Sequence, residues 1–506
     1  MSASQNAVVF EPPSAFGSTQ ATYDLLPFRH ARIPNLPGQV LITSMVGEYA
    51  FLADREFSDL IAHRLSRESD LYRYLRTRQF VCDSERGPFF QGIAAQRHTQ
   101  KLLTEQDPAL HIFVVTLRCD HRCHYCQVTP RQTNEAGFDM SADIARAAVD
   151  RVFESAAPTL TIEFQGGESA LAFERVRQVV GLAEERALET GQSVRFVLTS
   201  TLHLLTDDML GFCHDHGFEL STSLDGPDFV HNANRIIASR DSHERTISGI
   251  ERARSICGED RVAALATITH HSLPYAQEIV DAYVELGFPS ISLRPISPFG
   301  FAAKSSAKLG YSVSEYMSFY RDALDYLIQL NATGVVLDES YATLLLQKIL
   351  TPFPSSYVDL QSPSAAGRGV LVYNYDGGVY VSDEGRMLAE MGDRRFRMGS
   401  VFEPMDSLRV SEAMRIIEEA GNAEELDGCS DCAFVPYCGA DPVFHVATQN
   451  DPFGHRPTSE FCQRHTGLFE LIFEHLAQQD PTTMRVFLSW LSRRSALAIS
   501  HPGYVA

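Results

Sequence analysis

Seven of the ten cysteines fall into two groups whose spacing suits ligation of iron–sulfur clusters or metals. The first group, Cys119, Cys123 and Cys126, has the spacing C-x3-C-x2-C and directly follows an apolar strand candidate. Three thiolates on one loop can bind three irons of a [4Fe–4S] cluster, whereas closed clusters usually have four Cys ligands. One iron then keeps an open position, where a small ligand carrying an amine and a carboxylate can chelate. The alternative is a zinc site completed by His121 or His124.

The second group has the spacing C-x2-C-x5-C and ends with a more distant fourth cysteine. Its members are Cys429, Cys432, Cys438 and Cys462. Four thiolates can fully ligate a second [4Fe–4S] cluster or one structural zinc ion, and the spacing alone does not decide between them. The other three cysteines, Cys82, Cys213 and Cys257, stand alone, and we expect ordinary buried thiols there because free Cys packs as a small hydrophobe.

The composition is that of a globular protein with an acidic surface. The 506 residues suggest two to four domains, and 44% apolar and 21% charged residues are ordinary values. The formal net charge of −21 argues against non-specific nucleic-acid binding, which needs many cations. No apolar run is long enough to span a membrane, and the N-terminal residues lack a secretory signal pattern. We therefore expect a cytoplasmic protein whose cysteines stay reduced.

The residues from His111 to about Pro298 alternate between strand and helix patterns. The strand candidates are Ile112–Leu117, Leu160–Phe164, Val194–Leu198, Phe218–Ser223, Ala263–Ile268 and Ser290–Leu293. Repeated β-crossover-α units imply parallel strands that are covered by helices. We therefore predict an α/β fold with a partial (β/α)6 barrel, and in such barrels the chemistry lies at the carboxyl ends of the strands.

The regions before and after the barrel have different patterns. A β-hairpin over Gln39–Leu52 and two helices form a small αβ module, and residues 83–107 look like a linker. A second hairpin, VLVYNYDGGVYVS, precedes the second cysteine group. The predicted parts are a flexible tail (1–20), an N-terminal αβ module with its linker (21–107), the barrel (108–310), a cysteine-containing extension (311–480) and a C-terminal helical tail (481–506).

The first cysteine loop, with Tyr125 as its aromatic residue, resembles the signature of the radical S-adenosylmethionine (SAM) enzymes. The resemblance implies a six-unit partial barrel, which the strand count also predicts. It implies that the open iron binds the methionine amine and carboxylate of SAM. Electron transfer from the reduced cluster then gives a 5′-deoxyadenosyl radical, which removes a hydrogen atom from the substrate. An electron donor such as flavodoxin or ferredoxin is implied as a partner.

Two strand ends carry further residues of this resemblance. Gly166, Gly167 and Glu168 follow the second strand, where the family has its motif for the methionine amine. Glycines let the backbone approach a ligand, and a carboxylate can accept from an ammonium. Thr199 begins the Thr-Ser-Thr segment after the third strand, where relatives often have a Thr-Asn-Gly turn that contacts the ligand. The asparagine is absent here.

Residues after the fourth and sixth strands complete the candidate cofactor site. Ser223 and Asp225 suit ribose hydroxyls or the ligand carboxylate, and the Ser-x-Asp-Gly-Pro segment recurs in peptide-modifying relatives. The alternative is a simple Asp-Gly-Pro turn. Arg235 lies just beyond. Arg294 either pairs with a carboxylate of cofactor or substrate or forms a structural ion pair.

The second cysteine group resembles the SPASM extension of radical enzymes that modify peptides. The complete extension carries two auxiliary clusters. Here Ser382 and Pro442 stand where the family has cysteines, and these are positions of the first auxiliary cluster. We therefore expect one auxiliary [4Fe–4S] cluster, closed by the four cysteines of the second group, with structural zinc as the alternative.

End to end, the chain resembles the His-Xaa-Ser system radical SAM maturases, with LLPFRH and CGADPVFH as the matching strings. We expect an oxidoreductase that acts on a ribosomally made precursor peptide and installs a cross-link, an epimerisation or an oxidation. The alternatives are a formylglycine-forming enzyme of the sulfatase-maturase type and a non-catalytic zinc or iron–sulfur binding protein. The N-terminal module weakly resembles winged-helix leader-recognition modules, and a packing extension is the alternative. No side chain can be named as a substrate acid or base: for Tyr283, Tyr311 and His231, the possible ones, we expect core or surface roles.

Overall fold

The computed structural model describes residues 23–83, 86–102, 107–353, 355 and 357–499. The predicted flexible tail, residues 1–20, lies outside this range, as do residues 500–506 of the predicted helical tail. The chain divides into two compact units, 1–99 and 100–506. Among the described residues, no helix combines the length and the apolar character needed to cross a bilayer.

The first unit contains the predicted hairpin and two short helices. Its elements are β1 (Asp24–Leu25), β2 (Phe28–Ala31), β3 (Gln39–Ser44), β4 (Tyr49–Ala53), α1 (Asp54–Ile61), α2 (Asp70–Thr77) and β5 (Val81–Cys82). Strands β2, β3 and β4 form an antiparallel sheet, and β1 pairs with β5. The β3–β4 hairpin prediction is confirmed. Alternate residues of β3 and β4, such as Val40, Ile42 and Leu52, are buried in the core of this unit.

The segment predicted as a linker is helical over most of its length. Helix α3 (Arg86–Leu102) occupies it, and the boundary between the two units, at residues 99/100, falls inside this helix, so the role of the segment as a linker stays a prediction. Ile93 is the one buried side chain among those described in this helix. A helix with so little buried surface shows almost no apolar periodicity, which is the signal that helix prediction depends on.

The barrel prediction is confirmed. Its elements are β6 (Leu110–Thr116), α4 (Ala142–Val152), β7 (Thr159–Gly166), α5 (Phe173–Thr190), β8 (Ser193–Thr199), α6 (Asp207–Asp215), β9 (Glu219–Ser223), α7 (Asp228–Asn234), α8 (Ser242–Cys257), β10 (Val262–Ile268), α9 (Ala276–Glu285), β11 (Ser290–Ile291) and β12 (Leu293–Pro295). Strands β6 to β10 and then β12 pair in chain order, all parallel. The predicted sixth strand is divided into β11 and β12. Ser141 and Thr206 cap α4 and α6 through their side-chain oxygens.

The extension continues the same sheet. Its elements are α10 (Gly300–Leu309), α11 (Val313–Ala332), β13 (Asp338–Glu339), α12 (Ser340–Leu350), β14 (Val370–Tyr373), β15 (Gly378–Tyr380), α13 (Asp383–Glu390), β16 (Arg397–Ser400), α14 (Met405–Arg409), α15 (Glu412–Ala420), α16 (Pro442–Gln449), α17 (Glu460–Gln478) and α18 (Pro481–Ser492). Strand β14 pairs in parallel with β6, and β15 and β16 follow antiparallel, which makes a nine-stranded sheet. The extension is therefore joined to the barrel beside the strand that leads into the first cysteine group.

Helix α18 is packed into this unit. Trp490 is buried and donates its indole N–H to Asn331 Oδ1 of α11 at 3.3 Å. Phe487 is also fully buried. The predicted C-terminal tail is thus helical over Pro481–Ser492, and this helix is part of the core rather than a separate tail.

Candidate active site

The first cysteine group lies on the loop that follows β6, at the carboxyl end of the strand. The loop is held by backbone hydrogen bonds: Cys119 N donates to Arg131 O at 2.9 Å, and Phe301 N donates to Cys126 O at 2.8 Å. Cys123 is buried, and Cys119 and Cys126 are half-buried. Burial raises the pKa of all three thiols, that of Cys123 to about 12. A bound group must therefore displace protons from these thiols, as metal ligation does.

The arrangement suits an iron–sulfur cluster better than a single zinc ion. A tetrahedral zinc with bonds of about 2.3 Å to sulfur brings its sulfurs to within about 3.8 Å of one another. Among the described residues, no three cysteine sulfurs lie within 4.8 Å of one another. Cys119, Asp120 and His121 do group within that distance. However, His121 uses Nδ1 for Asp120 and Nε2 for Ser242, at 2.9 and 3.0 Å, so it is not free to complete a zinc site.

The two glycines after β7 let that loop pack directly against the chain that leads to Cys119. Gly166 has φ +131°, and a Cβ there would lie 2.3 Å from Thr116 O. A Cβ on Gly167 would lie 2.2 Å from Arg118 O. Gly167 N and Glu168 N donate to the same two carbonyls, both at 2.8 Å. Any side chain at these two positions would therefore push the cysteine loop out of place.

Glu168 is fully buried and binds the loop after β8. Oε1 accepts from Ala170 N at 3.0 Å and from the Ser200 hydroxyl at 2.7 Å. Oε2 accepts from the backbone N–H and the hydroxyl of Thr201, at 2.8 and 2.6 Å. Its negative charge raises the pKa of the Cys119 thiol, after the larger effect of burial. A carboxylate has about four lone-pair sites, and protein donors take up all of those of Glu168. Its binding of a methionine amine stays a prediction.

A further chain of hydrogen bonds, absent from the sequence expectations, runs behind the cysteine loop. Asp120 contacts Nδ1 of His121 and Nε2 of His203, each at 2.9 Å. His203 in turn contacts the Thr201 hydroxyl at 3.0 Å, and His121 contacts Ser242. Burial raises the pKa of Asp120, but the two imidazole hydrogen bonds outweigh it and hold the pKa well below its usual range. The adjacent Asp120 and His121 inside the cysteine motif are the sequence signal that could have indicated these hydrogen bonds.

On the other side of the loop, the motif's aromatic residue meets the loop after β9. The Tyr125 hydroxyl donates to Asp225 Oδ2 at 2.8 Å and accepts from Arg235 at 2.7 Å. Asp225 is fully buried, its backbone N–H donates to His231 Nδ1 at 3.3 Å, and burial raises its pKa. The cation of Arg235 opposes the burial that raises the Cys123 pKa. The structure therefore brings Asp225 and Arg235 to the cysteine loop, with Asp225 anchoring Tyr125.

The remaining predicted site residues lie apart from this hydrogen-bonded set. The Thr199 hydroxyl donates to Glu163 Oε1 at 3.2 Å. Ser223 is half-buried at the end of β9. Arg294 keeps 40% of its side chain exposed and lies 3.9 Å from Glu384, an acid on α13. In the described part of the chain, none of these three side chains hydrogen-bonds to the cysteine loop, so their contacts with a cofactor stay predictions.

Arg294 belongs to a set of charged groups between the barrel and the extension that sequence reasoning missed. The acids are Glu163, Asp359, Asp383, Glu384 and Asp441, and the cations are Arg294 and Arg464. Burial and then the neighbouring acids raise the pKa of Glu384 to about 7. Glu384 nevertheless keeps 29% of its side chain exposed. Because Glu384 and Arg294 are desolvated yet partly accessible, we infer a polar recess at this set of charges.

The second cysteine group lines a small cavity. All four cysteines contribute to its wall, together with Arg456, His465 and several aromatic and aliphatic side chains. His465 uses both ring nitrogens, for Tyr341 and for Phe461 O, at 2.6 and 2.8 Å. It is therefore not free to bind a metal. Burial raises the pKa of Cys438 to about 12.

The spacing of these four thiols also suits a cluster. No three of them lie within 4.8 Å of one another, which is too wide for one zinc ion. Cys462 is fixed in the first turn of α17, where its N–H donates to the capping Ser459 at 3.2 Å. Four thiols around a cavity leave no open ligand position, in contrast to the first group.

Comparisons with known proteins agree with this architecture. The Radical SAM superfamily model matches residues 113–281. A protein of uncharacterized activity from Methanothermobacter thermautotrophicus is 28% identical over 222 residues, which are 44% of this chain and 78% of that protein. A cysteine-type anaerobic sulfatase-maturating enzyme from Clostridium perfringens is 23% identical over 249 residues, 47% of this chain and 65% of that enzyme.

Two solved structures share the fold over longer stretches. The first, anSMEcpe with bound AdoMet, has a TM-score of 0.60 at 18% identity and covers 73% of this chain and 98% of its own. The second, Streptococcus suis SuiB bound to the precursor peptide SuiA, has a TM-score of 0.52 at 13% identity and covers 87% of this chain and 100% of its own. These matches show that the chain shares the fold of both structures, while the Radical SAM superfamily model itself covers residues 113–281, which hold the cysteine loop after β6.

Proposed function

We propose that this protein removes a hydrogen atom from a residue of a ribosomally made precursor peptide and thereby starts a post-translational modification. The modification would be a cross-link, an epimerisation or an oxidation. The geometry of the first cysteine loop carries the proposal. It offers three thiols at a strand end, while the neighbouring His121 is held by Asp120 and Ser242.

Cys119, Cys123 and Cys126 would hold a [4Fe–4S] cluster and leave one iron open for the amine and carboxylate of SAM. When bound and reduced, this pair supplies the radical that removes the hydrogen atom. The chain's own residues fix the loop. Glu168 binds the segment after β8, and Tyr125 joins the loop to the segment after β9.

The predicted contacts with SAM are Gly166, Gly167, Glu168, Thr199, Ser223, Asp225, Arg235 and Arg294. Among them, Arg235 has the clearest geometric support, because its guanidinium lies beside Tyr125 and its charge acts on the Cys123 thiol. It could pair with the methionine carboxylate. Glu168 and Asp225 are fully buried, so they act first on the protein loops around the site.

The second cysteine group would hold one auxiliary [4Fe–4S] cluster, as in a SPASM extension that lacks the first auxiliary cluster. Wide sulfur spacing and a cavity lined by all four cysteines support a cluster over zinc. Ser382 caps α13 and Pro442 begins α16, so both family cysteine positions are used for helix starts. A closed cluster suits electron transfer, for example from a substrate radical. Flavodoxin or ferredoxin would serve as the electron donor for the first cluster.

A peptide substrate is supported by the polar recess between the barrel and the extension. Arg294 and Glu384 are accessible there and can meet polar groups of a peptide. SuiB has been solved with its precursor peptide, and anSMEcpe with a Kp18Cys peptide. Strands β2 and β4 are the edges of the N-terminal sheet and could each add a leader strand. The resemblance to His-Xaa-Ser system maturases names one such peptide class.

A second candidate is formylglycine formation, as in the sulfatase-maturating relative. The similarity to that enzyme favours it. The absence of cysteine from residues 351–428 weakens it, because such enzymes usually keep both auxiliary clusters. The substrates differ: a sulfatase-derived peptide with Cys or Ser would be oxidised, whereas a dedicated precursor peptide would be left unchanged.

Anaerobic reconstitution tests the proposal. We expect about eight irons per chain, since each [4Fe–4S] cluster carries four, and release of 5′-deoxyadenosine under reduction. Cys126→Ala should abolish SAM cleavage, while Cys257→Ala, at an isolated thiol, should leave iron and cleavage unchanged. Two zinc ions per chain and no cleavage would instead indicate a non-catalytic binding protein.

Co-expression tests the substrate. Small peptides encoded next to this gene should be expressed with the protein and analysed by mass spectrometry. A loss of two hydrogens indicates a cross-link or an oxidation, and an unchanged mass with altered chirality indicates epimerisation. SAM cleavage with no change in any such peptide, but with conversion of a sulfatase-derived peptide, would favour formylglycine formation.

A further inference from the structure

Arg456 is a buried cation in the wall of the cavity that the second cysteine group lines. It begins the short helical turn Arg456–Thr458 that precedes α17, and only 7% of it is exposed. Within the described residues, its Nε and one terminal nitrogen have no hydrogen-bond partner. A buried donor without a partner destabilises the folded state, and more so when it is charged. Two such donors on one guanidinium therefore indicate an acceptor that the protein itself does not supply.

Contacts with two parts of the extension fix the position of Arg456. Its other terminal nitrogen lies 3.2 and 2.8 Å from Nδ1 and Nε2 of His445 on α16. Burial, and then the Arg456 cation, lower the pKa of His445 to about 4, so the ring is neutral and has a nitrogen that can accept. The stem of Arg456 lies against Gly428, where a Cβ would be 3.3 Å from its Cγ. Because Gly428 directly precedes Cys429, the arginine lies beside the cysteine group.

His445 is also connected to the helix that carries Cys462. Its Nε2 contacts the Ser459 hydroxyl at 2.9 Å, and Ser459 caps α17 by accepting from Cys462 N at 3.2 Å. Gly454 packs on the ring, since a Cβ there would lie 2.4 Å from His445 Cδ2. His445 ends the CGADPVFH string, which begins with a cysteine of the same group. Its contacts orient both Arg456 and the start of α17.

The charges around the cavity favour an anionic occupant. Among the described residues that line it, Arg456 is the one arginine or lysine, and none is a carboxylate. The cation therefore faces the four thiols without a counter-ion in the cavity wall. Ligated thiolates can accept hydrogen bonds, and the sulfides of a [4Fe–4S] cluster add further acceptors inside the cavity.

We propose that Arg456, positioned by His445, donates from its unpaired nitrogens to sulfurs of the auxiliary cluster on the Cys429 side. This inference rests on the proposed function, because it needs that cluster. The cluster gains negative charge when it takes up one electron. A buried cation beside it stabilises the reduced form and makes reduction easier. Arg456 thus makes the auxiliary cluster a better acceptor for an electron from a substrate radical.

The test is a redox titration followed by EPR, in protein that lacks the first cluster. Cys119, Cys123 and Cys126 are replaced by alanine together, so that only the auxiliary cluster gives a signal. At the midpoint potential of this background protein, Arg456→Met should lower the ratio of reduced to oxidised cluster about tenfold or more, since a charge is lost at a poorly screened site. Arg456→Lys keeps the charge and should restore most of the ratio. Arg415→Met removes an exposed arginine of α15 and should change nothing.

A second measurement keeps the inference testable if Arg456→Met does not hold iron. In background protein that contains ¹⁵N-labelled arginine, pulsed EPR of the reduced auxiliary cluster should show a coupling to an arginine nitrogen. Arg456→Lys should remove this coupling. His445→Leu removes the acceptor that positions Arg456 and should weaken the coupling, whereas His445→Gln keeps an acceptor near the place of Nε2 and should preserve it.

The outcomes separate the inference from the proposed function. An unchanged ratio in Arg456→Met at full iron content would overturn the inference, and so would background protein whose reduced cluster shows no coupling to arginine. Background protein that holds no iron, or that holds zinc at the four cysteines, would instead reject the auxiliary cluster itself, and the inference with it.

Discussion

Glu168→Gln should loosen the loop after β8 even in protein without cofactors. The carboxylate accepts from Ala170 N and the Ser200 hydroxyl on one oxygen, and from the N–H and hydroxyl of Thr201 on the other. Glutamine keeps the shape but replaces one oxygen by an NH2 group. The hydroxyls can rotate and accept from it, but a backbone N–H cannot. Either orientation therefore sets the new donor against the N–H of Ala170 or of Thr201.

The cost follows from these contacts. One charge-assisted hydrogen bond is worth about 1.5–3 kcal/mol, and a buried donor left without a partner costs about 1–3 kcal/mol. Because the lost bond and the unpaired donor are partly the same effect, we expect local opening to become easier by about 2–4 kcal/mol. This corresponds to about 30-fold to about 900-fold faster amide exchange where exchange proceeds by local opening.

Hydrogen–deuterium exchange of peptides that cover residues 199–203 measures this effect directly. Ser200→Ala removes one donor and keeps the carboxylate charged, so its acceleration should be smaller. Glu174→Gln, at an exposed position of α5, is the matched control and should match wild type. Exchange in Glu168→Gln within about threefold of wild type would show that the four hydrogen bonds do not hold this loop, and the reasoning would fail.

Three further predictions concern the clusters and the recess. Cys432→Ala should lose about half of the iron and keep SAM cleavage, measured by iron analysis and 5′-deoxyadenosine release; unchanged iron would mean that the second group binds something else. Gly300→Ala should lower the iron content of the first cluster, because its Cβ would overlap Gln127 O and its φ is +60°; full loading would contradict this. Burial raises the pKa of Glu163 to about 7, from an ordinary value of 4.5. The folded state then binds its proton more tightly than the unfolded state, so this group lowers stability as the pH rises from about 4.5 to about 7. The melting temperature of Glu163→Gln should fall less over this range than that of wild type, and parallel curves would refute the assignment.

The barrel and the first cysteine loop could be predicted from sequence because their signals are local. The spacing of Cys119, Cys123 and Cys126 is contained in eight residues, and parallel strands bring their carboxyl ends to one edge. The same rule predicts that Glu168 and Asp225, which follow β7 and β9 on either side of β8, lie at the same edge of the sheet. It does not show that both side chains are buried and engaged by protein donors, since that depends on how the loops close over each other.

The contributions of the extension could not be predicted in this way. Arg386 and Asp359, two buried charged residues of the extension, lie more than 200 residues beyond the cysteine loop in sequence. Nothing in a helix pattern such as DEGRMLAE marks one arginine as buried. Their position follows from β14 pairing with β6, and the hairpin motif predicts β14 and β15 as a pair but not the strand they join. The helix α3 was missed for a different reason, because it buries so few apolar residues.

The charges around the first cysteine loop are distributed unevenly, and this bears on how a ligand would lie there. The negative charge of Glu168 acts on the Cys119 thiol. The positive charges of Arg235 and Arg386 both act on the Cys126 thiol. A ligand with an ammonium at one end and a carboxylate at the other would therefore be favoured with its ammonium on the Cys119 side. This polarity agrees with the predicted contact of the Gly-Gly-Glu segment with the methionine amine and with a carboxylate contact of Arg235.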